Sequence, residues 1–262
     1  MNDHIVDWFK LYGRKERSMS FDLSSNNTFS NFIKRKGIEF EKCVVNEIKK
    51  KYPVTTISDL YTVDNAKKTI RHMKKGTPVI HSAPIYNDKN NTYGIIDLLV
   101  RSDYINKLFN NFKIDDYNIK APNLDIDYHY RVIEIKYCSL YLSSNGINLL
   151  NSNKIPAYKA QLCIYNDAIA NIQGYKPPNT YILGRRYQYV SKDQVYLGES
   201  SFDRPGVVDY IDYDKQYRNK TRNAIQWYRN VLKNGINWGI NPPTIPELYP
   251  NMSVDSGEWN YK

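Results

Sequence analysis

Three polar residues interrupt apolar, strand-like runs in this 262-residue chain. Asp97 stands in the middle of the run 94–100, and Glu134 alternates with apolar residues in the run 132–136, which ends on Lys136. Because residues two apart on a strand share a face, we expect Glu134 and Lys136 to point together. A lone acid disfavours a strand interior, so Asp97 needs a specific reason to be there.

A further carboxylate lies on the apolar face of a predicted helix at 37–52. At about 100° per residue, Glu41 falls in the middle of that face, whereas Glu39 points the opposite way. An inward carboxylate is costly unless it is paired or binds a metal ion, and a buried ion pair with a nearby lysine is the alternative interpretation. The apolar face consists of Ile38, Phe40, Val44, Val45, Ile48 and Tyr52.

A second helix, predicted to start near Pro156 and to end at Gly174, carries a glutamine within its apolar arc. Tyr158, Gln161 and Tyr165 stand at i, i+3 and i+7, so one helical face presents all three. A buried glutamine that satisfies a backbone group is the alternative. The rest of the arc is Leu162, Ala168, Ile169 and Ile172.

Three carboxylates on separate elements, with a lysine beside the last, suit metal-dependent hydrolysis of phosphodiesters. Hard oxygen ligands favour Mg²⁺ or Mn²⁺, which neutralise a phosphate and lower the pKa of bound water. The lysine would orient or activate that water and stabilise the transition state. Taken singly, Asp97 could be an edge residue facing water, and Glu134 with Lys136 an ordinary exposed pair. A similar spacing, Glu47 and Lys49, lies on the first helix, where positions two apart diverge by about 200°.

The elements that must position these residues follow an α/β or α+β order rather than strict βα alternation. Strands at 77–86 and 93–101 are joined by the polar turn 87–91, which predicts a hairpin. The other predicted elements are a helix at 64–75 with Asp64 as its N-cap, a short helix at 102–112, a loose stretch at 113–127, a hairpin at 140–150 turning at 144–146, a strand at 180–189, a helix at 214–233 and an irregular end at 236–262.

In this order the motifs resemble the PD-(D/E)XK nuclease superfamily and, within it, the RecB-like nuclease family. The matching pieces are 37–41 on the leading helix, 94–97, 133–136, and Gln161 with Tyr165 on the following helix, so that the resemblance covers roughly 37–184. It implies a restriction-endonuclease-like α/β core with a central mixed sheet flanked by helices, followed by a C-terminal helical extension. The divisions we expect are an N-terminal segment at 1–36, the core at 37–190 and an extension at 191–262 packed on the core.

The resemblance also implies roles for the residues. Lys136 would act on the nucleophilic water, and Gln161 with Tyr165 would support the site and contact the nucleic-acid backbone. Tyr158, on the same helical face, is also expected to bind nucleic acid. The ligands of one or two Mg²⁺ or Mn²⁺ ions would be Glu41, Asp97, Glu134 and the backbone carbonyl of Ile135. Some RecB-like relatives add a four-cysteine iron–sulfur cluster, which we do not expect here because the three cysteines are scattered.

The net charge of +10 is concentrated in two blocks. The segment 34–75 holds 12 Lys or Arg against 5 Asp or Glu, and 215–233 holds six basic residues and no acid. On the helix at 214–233, Arg218 and Arg222 belong to a basic ridge that we expect to track phosphates. The alternatives are a solvated helix face and codon bias from an AT-rich genome. The other members of the ridge are Lys215, Arg229 and Lys233, beside an apolar stripe of Tyr217, Ala224, Ile225, Tyr228, Val231 and Leu232.

Composition excludes several classes of protein. An odd number of dispersed cysteines does not suit a disulfide framework, and no apolar run approaches the 18 or so residues of a membrane span. We therefore expect a soluble, intracellular protein. The predicted function is hydrolysis of DNA phosphodiester bonds, by exonuclease or endonuclease action, in repair, recombination or replication. An RNA endonuclease of the same fold and a catalytically silent nucleic-acid-binding module remain open.

Overall fold

The computed structural model of the chain describes residues 3–13 and 28–250, without the side chains of 28–30. By its internal contacts the chain forms two units, which are 27–218 and the combination of 1–26 with 219–262. Of the irregular end predicted at 236–262, residues 251–262 lie outside the described residues. No helix among the described residues is both long and apolar enough to cross a membrane.

The larger unit is built on a central mixed sheet of six strands. Three neighbouring strand pairs in it are antiparallel and two are parallel. In spatial order its strands are β1 (Val54–Thr56), β2 (Val79–Asn87), β3 (Thr92–Arg101), β4 (Tyr130–Ile135), β6 (Asn179–Leu183) and β9 (Gly206–Asp209). A second sheet consists of β5 (Ser139–Tyr141), β7 (Arg186–Ser191) and β8 (Gln194–Gly198).

Helices flank the central sheet, as predicted. Two of them, α2 (Thr28–Lys49) and α4 (Ser102–Leu108), contribute side chains to one apolar cluster with Val79, Leu98 and Ile133. The other two, α3 (Val63–Lys74) and α5 (Ile155–Gln173), contribute to a second cluster with Leu99 and Val132. The predicted α/β class with a central mixed sheet is therefore confirmed.

Local signals predicted one helix end correctly and another incorrectly. Gly174 follows α5 with φ of +75°, a left-handed conformation that favours glycine at a helix end. The N-cap of α3, however, is Thr62, whose hydroxyl accepts a hydrogen bond from the backbone of Asn65 at 3.0 Å. The prediction of Asp64 as the cap is wrong, because Asp64 already lies inside the first helical turn.

One strand prediction is also wrong, and one hairpin is shorter than predicted. The run 180–189 is divided between β6 in the central sheet and β7 in the second sheet, since the chain leaves the first sheet after Leu183. The hairpin predicted at 140–150 is present but short. Its arms meet in one antiparallel bridge, between Leu142 and Leu149, and the N–H groups of Ser143 and Leu150 donate to the carbonyls of Asn148 and Tyr141. The first arm also pairs with β7, in parallel.

The polar stretch 113–127 is tied to β4 rather than loose. Arg131, fully buried, forms an ion pair with Asp116, and its Nη1 donates to the hydroxyl of Tyr181 at 3.1 Å. His129 accepts from Nε of Arg131 at 3.0 Å, while its Nδ1 lies 2.8 Å from the carbonyl oxygen of Ile119. A buried guanidinium needs such partners, so this network fixes the stretch from its centre.

The smaller unit contains α1 (His4–Trp8), a π-helical turn (Phe9–Gly13) and most of α6 (Gln216–Asn234). Its core includes Trp8, whose indole N–H donates to the carbonyl of Gly235 at 2.7 Å, and Trp227. The predicted apolar stripe of α6 is partly wrong, because Tyr228 and Leu232 are exposed whereas Trp227 is buried. The buried positions of α6 are Tyr217, Thr221, Trp227 and Val231, and the predicted stripe left out Thr221 and Trp227.

Candidate active site

A left-handed serine in the middle of β2 shapes the site. Ser82 is buried and has φ of +46°, which is costly for a residue that is not glycine. The ladder between β2 and β3 skips this position, where Ser82 would stand opposite Asp97, and resumes on both sides. Asp97 therefore lies at an interruption in the hydrogen bonding of the two strands.

The alternation of faces reverses at the same point. On β3, Leu98 belongs to the cluster beneath α2 and α4, whereas Ile96, two positions away, belongs to the cluster beneath α3 and α5. On β2, Val79 and Ala83 differ in the same way. Strict alternation would put each pair on one face. The reversal explains how a strand that is otherwise apolar can place a carboxylate outside both apolar clusters.

Asp97 and Glu134 come together across β3 and β4. The pairing of Leu98 with Ile133, extended by one residue, places Asp97 opposite Glu134. Oδ2 of Asp97 accepts a hydrogen bond of 2.7 Å from the backbone N–H of Ile135. The two carboxylates predicted from separate runs thus share one site.

Lys136 binds Glu134, as the strand spacing predicted. Its Nζ lies 2.6 Å from Oε1 of Glu134 and 5.0 Å from the centre of the Tyr158 ring. Burial alone would lower the pKa of Lys136, but the carboxylates of Glu134 and Asp97 raise it above its ordinary value. The side chain is therefore an ammonium at neutral pH.

Both carboxyl groups have raised pKa values. Burial, opposed by the charge of Lys136, raises the pKa of Asp97 to about 6. Burial together with the charge of Asp97 raises the pKa of Glu134 to about 8. Oε2 of Glu134 is also buried without a hydrogen-bond partner. Such an oxygen requires a proton or a cation to offset its desolvation.

Glu41 approaches from α2 and contacts a residue that the sequence did not single out. Its Oε1 lies 3.0 Å from Nε2 of His81, and Nδ1 of His81 lies 3.0 Å from Oγ1 of Thr56. The side chain of Glu41 is 34% exposed, so it is less deeply inward than predicted. Glu39 points away, as expected, and pairs with Lys36 at 2.8 Å. The pair His81-Ser82, polar within an apolar strand, was the available signal.

Gln161 and Tyr165 form a pair on α5. Nε2 of Gln161 donates to the hydroxyl of Tyr165 at 2.9 Å. A Cβ atom at Gly94 would lie 2.4 Å from Cε1 of Tyr165, so the glycine of β3 allows the ring to approach the strand. Tyr165 lies close enough to the site for the charges of Glu134 and Asp97 to raise its pKa, in addition to the larger effect of burial.

The chemistry of these donors fits a hard divalent cation. Carboxylate oxygens are the ligands that Mg²⁺ and Mn²⁺ prefer, and the buried oxygen of Glu134 lacks a partner. Within residues 3–13 and 28–250, no three His, Cys, Asp or Glu side chains are gathered closely enough to enclose an ion. Each predicted carboxylate binds a protein group instead, namely His81 for Glu41, the Ile135 N–H for Asp97 and Lys136 for Glu134.

The four residues predicted to contact nucleic acid are divided between the two units. Tyr158 and Gln161 lie with the site, through Lys136 and Tyr165 respectively. Arg218 belongs to the larger unit and is half-buried, whereas Arg222 belongs to the smaller unit and is exposed.

No known protein family matches the sequence, and a search of curated proteins finds no significant match. The resemblance to PD-(D/E)XK nucleases therefore depends on the residues of this chain alone.

Proposed function

We propose that the chain is a Mg²⁺- or Mn²⁺-dependent nuclease that hydrolyses DNA phosphodiester bonds. The observation that carries the proposal is the pairing of Glu134 with Lys136 beside Asp97, at the interrupted position of β3. A structural ion pair would not need a second carboxyl group against it. Here the pKa of Glu134 is raised by burial and then by Asp97, an arrangement common at functional sites.

Asp97, Glu134, Glu41 and the carbonyl of Ile135 would hold the cation. A bound divalent ion would offset the repulsion between these acids and a phosphodiester and lower the pKa of water. Lys136 stays an ammonium, because the neighbouring carboxylates raise its pKa. Its role is therefore to donate a hydrogen bond to the attacking water or to the phosphate, and to stabilise developing negative charge, rather than to accept a proton.

The residues of α5 hold this arrangement in place. The ring of Tyr158 lies against the ammonium of Lys136, and a cation–π contact limits the positions that Nζ can take. Gln161 donates one amide N–H to the hydroxyl oxygen of Tyr165. The other amide N–H of Gln161 and the O–H of Tyr165 are then donors for a phosphate oxygen. We assign them to orientation of the substrate rather than to bond breaking.

The test is a cleavage assay with Mg²⁺ or Mn²⁺ on linear, circular and single-stranded DNA and on RNA. Removing a donor that stabilises the transition state lowers kcat by about 10² to 10³, and we expect this for Lys136→Ala. The matched control is Lys49→Ala, since Lys49 follows Glu47 with the same spacing on α2 but is exposed. Asp97→Asn should abolish cleavage and weaken Mn²⁺ binding in calorimetry.

Two results would refute the proposal. The first is absence of metal-dependent cleavage on every substrate, and the second is a Lys136→Ala variant that cuts as fast as Lys49→Ala. Wild type that binds DNA but takes up no Mn²⁺ would indicate the silent binding module instead. Cleavage confined to RNA would replace the substrate and keep the chemistry.

A further inference from the structure

Two tyrosines form an exposed stack at the start of β3. The rings of Tyr61 and Tyr93 have centroids 4.6 Å apart and planes 30° from parallel. Tyr93 is 65% exposed, so Tyr61 covers only part of it. The exposed ring of Tyr93, on a strand, and the half-buried ring of Tyr61, in the loop before α3, together offer a flat apolar surface with little conformational entropy to lose on binding.

Tyr93, one ring of the stack, lies on the strand that carries Asp97. Gly94 faces the Tyr165 ring, so its neighbours Tyr93 and Ile95 face the opposite side of the sheet. Tyr86, directly opposite Tyr93 in the ladder, is also exposed. Asp97 follows Tyr93 by four positions, which at roughly 3.4 Å per position is about 14 Å along the strand. That length corresponds to about four nucleotides of a stacked strand, and to fewer if the strand is extended.

The chain that follows Tyr61 is basic. Helix α3 begins two residues after Tyr61, and residues 63–75 contain Asp64 as their only acid. The basic residues of that segment are all exposed and comprise Lys67, Lys68, Arg71, Lys74 and Lys75. A base on an aromatic ring with a backbone along cations is the usual arrangement for binding single-stranded nucleic acid.

The apolar side chains around the stack support the same ligand. Leu60 and Val63, on either side of Tyr61, are 67% and 60% exposed. An exposed group of aromatic and aliphatic side chains, followed in the chain by a basic helix, does not suit a folded acidic protein surface, which would meet the cations but not the rings. An unpaired nucleotide combines both properties, a flat apolar face and an anionic phosphate.

We propose that Tyr93, supported by Tyr61, is a stacking site for an unpaired base, and that the ligand is a single strand whose backbone continues toward Asp97. The proposal rests on the proposed function for the identity of the ligand. A duplex covers the faces of its internal bases, so only a free strand or a frayed end can place a base on the exposed ring. The inference therefore names single-stranded nucleic acid as the substrate class.

The experiment measures binding by fluorescence anisotropy in EDTA, with labelled oligothymidine and a blunt hairpin duplex as probes. Stacking of one base contributes about 5- to 150-fold in affinity, which is the loss we expect for Tyr93→Ala with oligothymidine. Tyr93→Phe keeps the ring and should bind within twofold of wild type. The matched control is Tyr196→Ala, which removes another exposed tyrosine stacked at 4.6 Å on a second one, Tyr189.

The proposal is overturned if Tyr93→Ala binds oligothymidine like wild type, or if Tyr93→Phe loses as much affinity for oligothymidine as Tyr93→Ala. It is also overturned if Tyr93→Ala loses as much affinity for the duplex as for oligothymidine. Because binding is measured without divalent metal, these results are independent of catalysis. Wild type that cleaves DNA while Tyr93→Ala binds normally refutes the stacking site alone. Wild type that cleaves nothing refutes the proposed nuclease, whereas loss of oligothymidine binding in Tyr93→Ala still supports the stacking site.

Discussion

Acid should destabilise the larger unit through one buried histidine. His129 is fully buried, and burial lowers its pKa to about 4. Its Nδ1–H donates to the carbonyl of Ile119, and its Nε2 accepts from Nε–H of Arg131. Protonation of Nε2 would therefore place its N–H against the Nε–H of Arg131, so that two donors face each other. The geometry allows only the neutral ring with hydrogen on Nδ1.

The sign and size of the effect follow from linkage. The unfolded chain, with a histidine pKa of about 6.5, binds a proton between pH 6.5 and 4 that the folded protein does not bind. Stability contributed by His129 is thus lost as pH falls through this window. Between pH 7 and pH 5 the loss is about 2 kcal/mol, and it approaches about 3 kcal/mol near pH 4.

The assay is urea unfolding of wild type and His129→Asn at pH 7 and pH 5. Asparagine can donate to Ile119 but not titrate, so the variant is less stable at pH 7 through loss of the Arg131 contact. The difference in unfolding free energy between the two proteins should shrink by about 2 kcal/mol at pH 5. Contributions of all other groups cancel in this double difference. A difference that is the same at both pH values would refute the assignment of His129 as a neutral buried group.

Two further predictions concern buried charges. Burial raises the pKa of Asp97 to about 6, so the folded protein binds a proton between pH 4 and 6 that the unfolded chain lacks, and stability is lost as pH rises through this window. In EDTA, Asp97→Asn should therefore unfold at a higher urea concentration than wild type above pH 6, and this gain in stability should vanish near pH 4. A gain of the same size at both pH values would contradict the prediction. Lys159 and Asp214 form a fully buried pair at 2.6 Å. Asp214→Ala leaves an ammonium buried and should lower the free energy of unfolding by about 3 to 5 kcal/mol. The double variant Lys159→Met/Asp214→Leu should lower it by less. A loss below about 1 kcal/mol in the single variant would show that the pair is not charged.

Features that depend on neighbouring residues could be predicted from the sequence. Gly174 ends α5, and the turn 87–91 joins β2 to β3, because helix ends and tight turns are set by backbone preferences within a few residues. The meeting of Glu134 with Lys136 follows equally from the period of a strand. These are the parts of the site that belong to one element.

Features that depend on distant contacts could not be predicted. His81 meets Glu41 across 40 residues, and nothing in the period of either element indicates the other. The left-handed conformation of Ser82 reverses the faces of two strands, which no alternation pattern can anticipate. The separation of β6 from β7 depends on the second sheet, whose third strand, β8, is mostly exposed and carries no apolar period.

The close approach of Tyr165 to Gly94 limits how this chain can change over evolution. Because any Cβ at position 94 would overlap the ring, a larger residue there becomes tolerable only after position 165 has lost its aromatic side chain. The two positions, 71 residues apart in sequence, should therefore covary among homologous sequences. A homologue that lacks glycine at 94 should also lack the hydroxyl that Gln161 binds.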